Sequence, residues 1–122
     1  MKKSRIIPIA LAFIDADHFK NVNDTYGHDI GDVTLITLVN VIFENTRDYE
    51  NVILYRIGGE EFILIFLDME PEEIFNILEN IRIQMQDTSI DGKLNTFSVT
   101  LSSGLAFLLA NEDETSLMKR AA

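Results

Sequence analysis

The sequence predicts an α+β fold of the ferredoxin-like type, in which one antiparallel sheet carries its helices on one face. Apolar runs bounded by turn residues predict strands, and apolar residues at helical spacing predict the helices between them. These elements follow the order β-α-β-β-α-β, which is that of the split βαβ fold and places the first strand beside the central hairpin. A length of 122 residues suits a single domain over residues 1–122.

The first half of the chain predicts a strand, a loop and a helix. Residues 7–14 form an unbroken apolar run, which is typical of a strand buried on both faces. The segment 15–31 is rich in Asp, Asn and Gly, so it predicts a loop or short turns. Apolar residues then recur at helical spacing, and we expect a helix over 31–45 with Asp29 or Asp32 as its N-cap.

The middle of the chain predicts a hairpin followed by a second helix. Two apolar runs, 52–57 and 61–67, flank Gly58-Gly59. A type I′ turn requires positive φ at both central residues, so this glycine pair predicts such a turn. Pro71 is tolerated in the first turn of a helix, and the helix is expected to end near residue 85.

The last part of the chain predicts one more strand and the beginning of a helix. Residues 97–109 are mostly apolar and predict a single strand, in which Gly104 marks a bulge or a close approach of another group. Residues 112–122 look like the first turns of a helix.

Composition excludes several classes of function. Twenty acidic residues against ten basic ones give a net charge of -10, which argues against a nucleic-acid binder. The chain has no cysteine, so disulfides and thiolate zinc sites are excluded. The apolar run after Lys2, Lys3 and Arg5 is too short for a membrane segment, which needs about 20 residues. No cleavage site of a signal peptide follows it, and we expect a cytoplasmic protein.

Four carboxylates occupy the positions where the predicted strands end. Asp15 and Asp17 follow the first strand, while Glu60 and Glu61 lie at the tip of the hairpin. If the hairpin pairs with the first strand, the acids converge and repel one another unless a cation intervenes. Oxygen ligands suit Mg²⁺ or Mn²⁺, and two such ions would assist a phosphoryl transfer. The alternative is that these acids merely end a strand and a turn.

Three stretches resemble the GGDEF-domain diguanylate cyclases. Residues 13–32, FIDADHFKNVNDTYGHDIGD, resemble the first signature of that family. Residues 56–62, RIGGEEF, resemble its signature loop in the GGEEF form, and residues 98–104 resemble its late strand. The resemblance implies a palm-like fold related to the class III nucleotide cyclases. It also implies the condensation of two GTP to cyclic di-GMP with release of two pyrophosphates.

The resemblance further implies how the reaction proceeds and which residues perform it. A homodimer brings two GTP together, and each 3′-hydroxyl attacks the α-phosphate of the other nucleotide, with two Mg²⁺ or Mn²⁺ ions at each site. Asp15, the carbonyl of Ala16, Glu60 and Glu61 would bind metal. Glu60, Glu61 and Lys20 would be catalytic. A sensor domain or upstream regulator would control the activity.

Substrate binding is assigned by the same resemblance to seven residues: His18, Phe19, Lys20, Asn23, Asp32, Gly58 and Gly59. The backbone amides of the first three would hold the β- and γ-phosphates, as a nest of amides can. Asn23 and Asp32 would read guanine, whose N1–H and N2–H₂ donors suit a carboxylate acceptor. The glycines would allow a close approach of the backbone to the nucleotide.

Several residues receive structural interpretations instead. Asp17 is expected to bind loop amides, and Arg56 to orient a nearby carboxylate rather than to touch the substrate. Phe19 and Phe62 are expected in the core. The Arg-x-x-Asp product-inhibition site of many relatives is absent at the aligned residues 49–52, so tight feedback binding of product is not expected.

Both ends depart from the family pattern. The chain lacks the usual N-terminal segment, and it stops where the family's last helix, with its triphosphate-binding Lys and Arg, should begin. A second hypothesis is therefore a catalytically weak or inactive GTP-binding or interaction module of cyclic di-GMP signalling.

Overall fold

A computed structural model describes residues 6–111 of the chain. Its elements follow the predicted order, with one additional helix and one additional small hairpin. They are β1 (Ile6–Ala16), α1 (Phe19–Tyr26), α2 (His28–Thr46), β2 (Val52–Gly58), β3 (Glu61–Leu67), α3 (Pro71–Asp87), β4 (Ile90–Asp91), β5 (Thr96–Phe97) and β6 (Leu101–Asn111).

The main sheet is antiparallel and has the strand order β2-β3-β1-β6. β1 is central: Ile9 pairs with Leu67 of β3 on one side and with Leu108 of β6 on the other. The first strand therefore lies beside the hairpin, and the predicted α+β fold is confirmed.

The core lies between one face of this sheet and the three helices. Alternate residues of β1, including Ala10, Ala12 and Ile14, turn toward the helices and are buried. Leu64 of β3 and Leu38 of α2 are fully buried in the same cluster. Burial of one such side chain contributes about 1.5–3 kcal/mol.

The prediction of a loop over 15–31 was wrong. Phe19–Tyr26 forms a helix, and Phe19 and Val22, three positions apart, bury one side of it in the core. Tyr26 also packs against the core, whereas Lys20, Asn21, Asp24 and Thr25 are exposed. The segment is therefore a short amphipathic helix, which its Asp- and Asn-rich composition did not indicate. Packing against α2 stabilises a segment whose propensity alone is weak.

The predicted N-cap of the long helix was also wrong. α2 begins at His28, and the residue preceding it, Gly27, is the cap, with φ of 91°. Asp29 lies in the first turn instead, where a carboxylate favours the helix dipole without capping a backbone amide. Asp32 lies further along the helix. The glycine is favoured because its positive φ admits an abrupt turn from α1 into α2.

The hairpin has the predicted strands but a different turn. Gly58 pairs with Glu61, so Gly59 and Glu60 are the two central residues. Gly59 has φ of 50°, whereas Glu60 has no positive φ, which excludes the predicted type I′ turn. The register shift between Arg56 and Gly58 displaces the turn by one residue.

The single late strand that the sequence predicted over 97–109 is two elements. Phe97 pairs with Ile90 in a separate small sheet, and β6 starts only at Leu101. Gly104 lies in a regular ladder opposite Phe13, and a Cβ there would meet no atom within 4 Å. The predicted bulge or close approach at Gly104 is therefore wrong.

Two further predictions concern the rest of the chain. Pro71 begins α3 as predicted, and that helix ends at Asp87. The helix expected over 112–122 lies outside the described residues. None of the helices within residues 6–111 combines the length and the apolar character needed to cross a membrane.

Candidate active site

The carboxylates of the first strand and of the hairpin meet at one edge of the sheet. Asp15 pairs directly with Glu61, so their side chains leave the sheet on the same face. Both residues are exposed, and the adjacent Glu60 at the hairpin tip is half-buried. The predicted convergence of the two acidic pairs is therefore present.

Electrostatics at this edge are unfavourable for an anion. Although Asp15 is exposed, partial desolvation of its carboxylate at the sheet edge raises its pKa above the ordinary value, and the charges of Glu60 and Asp17 raise the pKa further. A backbone hydrogen bond from Ala16 lowers the pKa of Asp15 and only partly opposes these effects. The edge therefore favours a proton or a cation beside Asp15.

Asp17 joins the end of β1 to the start of β6. Its carboxylate accepts hydrogen bonds from Thr100 Oγ1 at 2.8 Å and Ser102 Oγ at 2.6 Å, and its amide donates to the Thr100 carbonyl at 2.9 Å. The Ser102 bond, followed by those from Thr100 and the charge of His18, lowers the pKa of Asp17, while burial opposes them. The prediction that Asp17 binds loop amides was wrong, because its partners are hydroxyl groups.

The Arg56 side chain binds the hairpin turn. Its Nε and Nη2 donate to the Gly59 carbonyl at 3.0 and 2.7 Å, and its guanidinium lies 5.9 Å from the centroid of the Phe62 ring. The prediction that Arg56 orients a carboxylate was wrong, since its hydrogen-bond acceptor is a backbone carbonyl. Phe62 is 2% exposed, which confirms its expected place in the core.

The predicted phosphate nest lies where β1 turns into α1. His18 adopts a left-handed conformation with φ of 57° and precedes the helix, and its carbonyl accepts from the Val22 amide at 3.2 Å. Phe19 is buried in the core as expected, and Lys20 is exposed. The residues of the nest thus stand at the start of α1, which begins shortly after the end of β1 that carries Asp15.

The two predicted guanine-reading residues lie on neighbouring helices. Asn23 of α1 lies against Gly31 of α2, where an added Cβ would be 1.8 Å from Asn23 Oδ1. Asp32, the next residue, lines a groove of about 450 Å³ together with Arg56 and Phe62. The described structure brings Asp32 into this groove, whereas Asn23 lies against Gly31 and is not among the residues that line the groove.

The residues at the edge fit a magnesium ion that takes further ligands from its substrate. Asp15 and Glu61 supply two carboxylates, and Mg²⁺ commonly binds one or two carboxylates plus phosphate oxygens and water. Within residues 6–111, however, no group of three or more acidic or histidine side chains is close enough to hold a metal by itself. The three predicted carboxylate ligands, Asp15, Glu60 and Glu61, thus do not form such a group without oxygens from a substrate.

Three contributors to the site were not found from the sequence: Gly31, Thr100 and Ser102. Each acts through a neighbour, because Gly31 provides the space for Asn23 and the two hydroxyls bind Asp17. The hydroxyl bonds join residues 83 and 85 positions apart, so no local spacing indicates them.

Comparison with known proteins identifies the family. The profile of the family described as "Diguanylate cyclase, GGDEF domain" matches residues 2–122, almost the whole chain. The chain belongs to the GGDEF domain family. The resemblance carried by the signature stretches is thereby confirmed.

Relatives of this GGDEF domain bear matching names. It is 36% identical over 121 residues to "Diguanylate cyclase DgcZ" of Escherichia coli K12, covering 99% of this chain and 40% of that protein. It is 35% identical over 116 residues to "Diguanylate cyclase A" of Treponema denticola, covering 93% of this chain and 30% of that protein. The chain thus spans less than half the length of these curated relatives.

Solved structures share the architecture of this GGDEF domain. The active GGEEF domain of a diguanylate cyclase from Vibrio cholerae aligns with a TM-score of 0.73 at 31% identity, covering 83% of this chain and 62% of that one. The GGDEF domain of DgcB from Caulobacter crescentus, in complex with c-di-GMP, aligns with a TM-score of 0.77 at 30% identity, covering 95% and 70%. The palm-like cyclase fold implied by the sequence is therefore confirmed.

Proposed function

We propose that this GGDEF domain is a diguanylate cyclase catalytic domain, which condenses two GTP to cyclic di-GMP and two pyrophosphates. The observation that carries the proposal is the direct pairing of Asp15 with Glu61 beside Glu60, at the tip of the family's signature loop. Catalysis needs two copies of the domain, each holding one GTP, with each 3′-hydroxyl attacking the α-phosphate of the other nucleotide.

In this proposal Asp15, the Ala16 carbonyl, Glu60 and Glu61 hold divalent cations together with the triphosphate. When bound, Mg²⁺ neutralises charge on the reacting phosphate and lowers the pKa of the attacking hydroxyl. The raised pKa of Asp15 supports such a ligand, because a carboxylate repelled by its neighbours gains most from a cation. Glu60 also acts as the base near the 3′-hydroxyl.

The remaining predicted residues hold the nucleotide. The amides of His18, Phe19 and Lys20 bind the β- and γ-phosphates, with the Lys20 ammonium adding charge. Asp32 in its groove and Asn23, which lies against the neighbouring Gly31, accept and donate hydrogen bonds at the guanine edge. Gly58 and Gly59 admit the nucleotide close to the backbone. A regulator elsewhere in the protein and a cytoplasmic location stay predictions.

A second candidate is a GTP-binding module with weak or no catalysis. One observation favours it: in the described part of the chain no three acidic or histidine side chains form a ready metal site. A domain that recruits metal only with its substrate can bind GTP yet hold the metals too weakly for turnover.

One assay separates the two candidates. The chain is incubated with GTP and Mg²⁺, and cyclic di-GMP is sought by mass spectrometry, with Glu60→Ala as the test variant. Glu73→Ala, which removes an exposed acid from the first turn of α3, is the matched control. Product made by the wild type and the control but not by Glu60→Ala supports the cyclase. Mg²⁺-dependent GTP binding without product supports the module.

A further inference from the structure

The turn that carries Glu60 has little packing of its own. A Cβ added at Gly58 or Gly59 would meet no atom within 4 Å apart from its chain neighbours, so both residues stand in open space. The β2–β3 ladder is irregular between Arg56 and Gly58, immediately before the turn. Two consecutive glycines have more backbone freedom than any other pair of residues. A turn built in this way needs a separate restraint to keep one conformation.

Arg56 provides such a restraint. Its two donors converge on the Gly59 carbonyl at 3.0 and 2.7 Å. That carbonyl belongs to the same peptide plane as the Glu60 amide, so fixing it fixes the direction in which the chain enters Glu60. The guanidinium is itself placed over the ring of Phe62, which is buried and therefore a rigid support.

We propose that Arg56 is a positioning residue, which holds the Glu60 carboxylate in its working place by binding the Gly59 carbonyl. The inference rests on the proposed function, because the position of Glu60 affects the rate only if Glu60 takes part in the reaction. A displacement of about 1 Å in a catalytic group can cost about 100-fold in rate. Substrate binding need not change, because the carbonyl and not the nucleotide receives the hydrogen bonds.

The test uses three variants of the whole chain. Arg56→Met keeps an unbranched side chain about as long as the aliphatic part of arginine and removes both donors. Arg56→Lys keeps the charge but replaces the rigid fork by a single flexible ammonium. Arg82→Met is the matched control, because Arg82 is an exposed arginine of α3 that pairs with Glu79.

Two measurements are made on each variant. The first is the NMR order parameter of the Glu60 amide without nucleotide, and the second is the pair kcat and KM for GTP with Mg²⁺. For Arg56→Met we expect the order parameter to fall toward the flexible range, below about 0.6. We also expect kcat to fall roughly 100-fold with KM within about threefold. Arg56→Lys should lie between this variant and the wild type, and Arg82→Met should match the wild type.

The two measurements distinguish a failure of this inference from a failure of the proposed function. An unchanged order parameter in Arg56→Met overturns the inference whatever the activity. A rise in KM with kcat retained also overturns it, because Arg56 would then bind substrate in the groove that it shares with Asp32. If the wild type makes no cyclic di-GMP, the proposed function fails, and the order parameter alone decides whether Arg56 holds the turn.

Discussion

Asp15 of β1 lies directly opposite Glu61 of β3, and the two carboxylates share one face of the sheet. Like charges at directly opposed positions destabilise an antiparallel pair. Neither residue makes an ion pair within residues 6–111 that would offset this repulsion. The edge is thus arranged for a cation at a cost to the stability of the metal-free fold.

Replacement of Asp15 should stabilise the metal-free fold and abolish the synthesis of cyclic di-GMP. Asp15→Asn removes one of the opposed charges, so without metal the variant should unfold at a higher temperature than the wild type, by the equivalent of up to about 1 kcal/mol. Thermal unfolding in EDTA measures this. Mg²⁺ with GTP should stabilise the wild type and not the variant, and the variant should make no cyclic di-GMP. A variant less stable than the wild type in EDTA would show that the opposed charges are harmless.

The advantage of Asp15→Asn should depend on pH. A carboxyl whose pKa is raised on folding destabilises the folded state while it is ionised, and the penalty disappears as pH falls through that pKa. The difference in unfolding temperature between variant and wild type should therefore be largest at neutral pH. It should shrink toward zero below the ordinary Asp pKa of about 3.9. A difference that stays constant from pH 7 to pH 3 would exclude electrostatic repulsion as its cause.

Asp17 should show the opposite behaviour. Its pKa is lowered on folding, chiefly by the Ser102 hydroxyl, so it contributes stability above its ordinary pKa that is lost as pH falls through the lowered value. Ser102→Ala should cost about 1 kcal/mol at neutral pH, because it removes an exposed hydrogen bond to a charged acceptor that keeps Thr100 as a second donor. Denaturant unfolding at pH 7 and pH 3 measures both effects.

The neighbouring serine provides the control for this hydroxyl bond. Ser103 is exposed and points to the other face of β6, since side chains alternate along a strand. Ser103→Ala should change the free energy of unfolding by less than about 0.5 kcal/mol. Equal costs for the two alanine variants would mean that the Asp17 carboxylate gains nothing from Ser102.

The sequence predicted those parts of the fold in which one local pattern decides the structure. The run 61–67 became β3 at the predicted residues, and Pro71 began α3. The prediction from sequence failed in the segment 15–31. There Phe19 and Val22 hold α1 against the core, which is a tertiary effect that composition does not reveal. The acidic edge was predictable because the split βαβ order places β1 beside β3, so that the end of β1 and the tip of the hairpin meet. The hydroxyl partners of Asp17 were not, because they come from 83 and 85 positions away.

Gly31 tests the place of Asn23 in the site. A Cβ at this position would lie 1.8 Å from Asn23 Oδ1, so Gly31→Ala must displace the Asn23 amide. Within a helix alanine is favoured over glycine by about 1 kcal/mol, and the displaced group is the end of a side chain, so we expect the fold to survive with little change in unfolding temperature. The KM for GTP should rise about tenfold, the equivalent of one lost hydrogen bond.

Gly104→Ala is the matched control, since its added Cβ would meet no atom within 4 Å. It should leave KM unchanged. The measurement is GTP affinity by calorimetry alongside kcat and KM, with the unfolding temperature recorded for each variant. A Gly31→Ala variant that keeps its fold and binds GTP as tightly as the wild type would remove Asn23 from the guanine site. Loss of affinity together with loss of folding would instead mean that Gly31 matters for packing of α1 on α2.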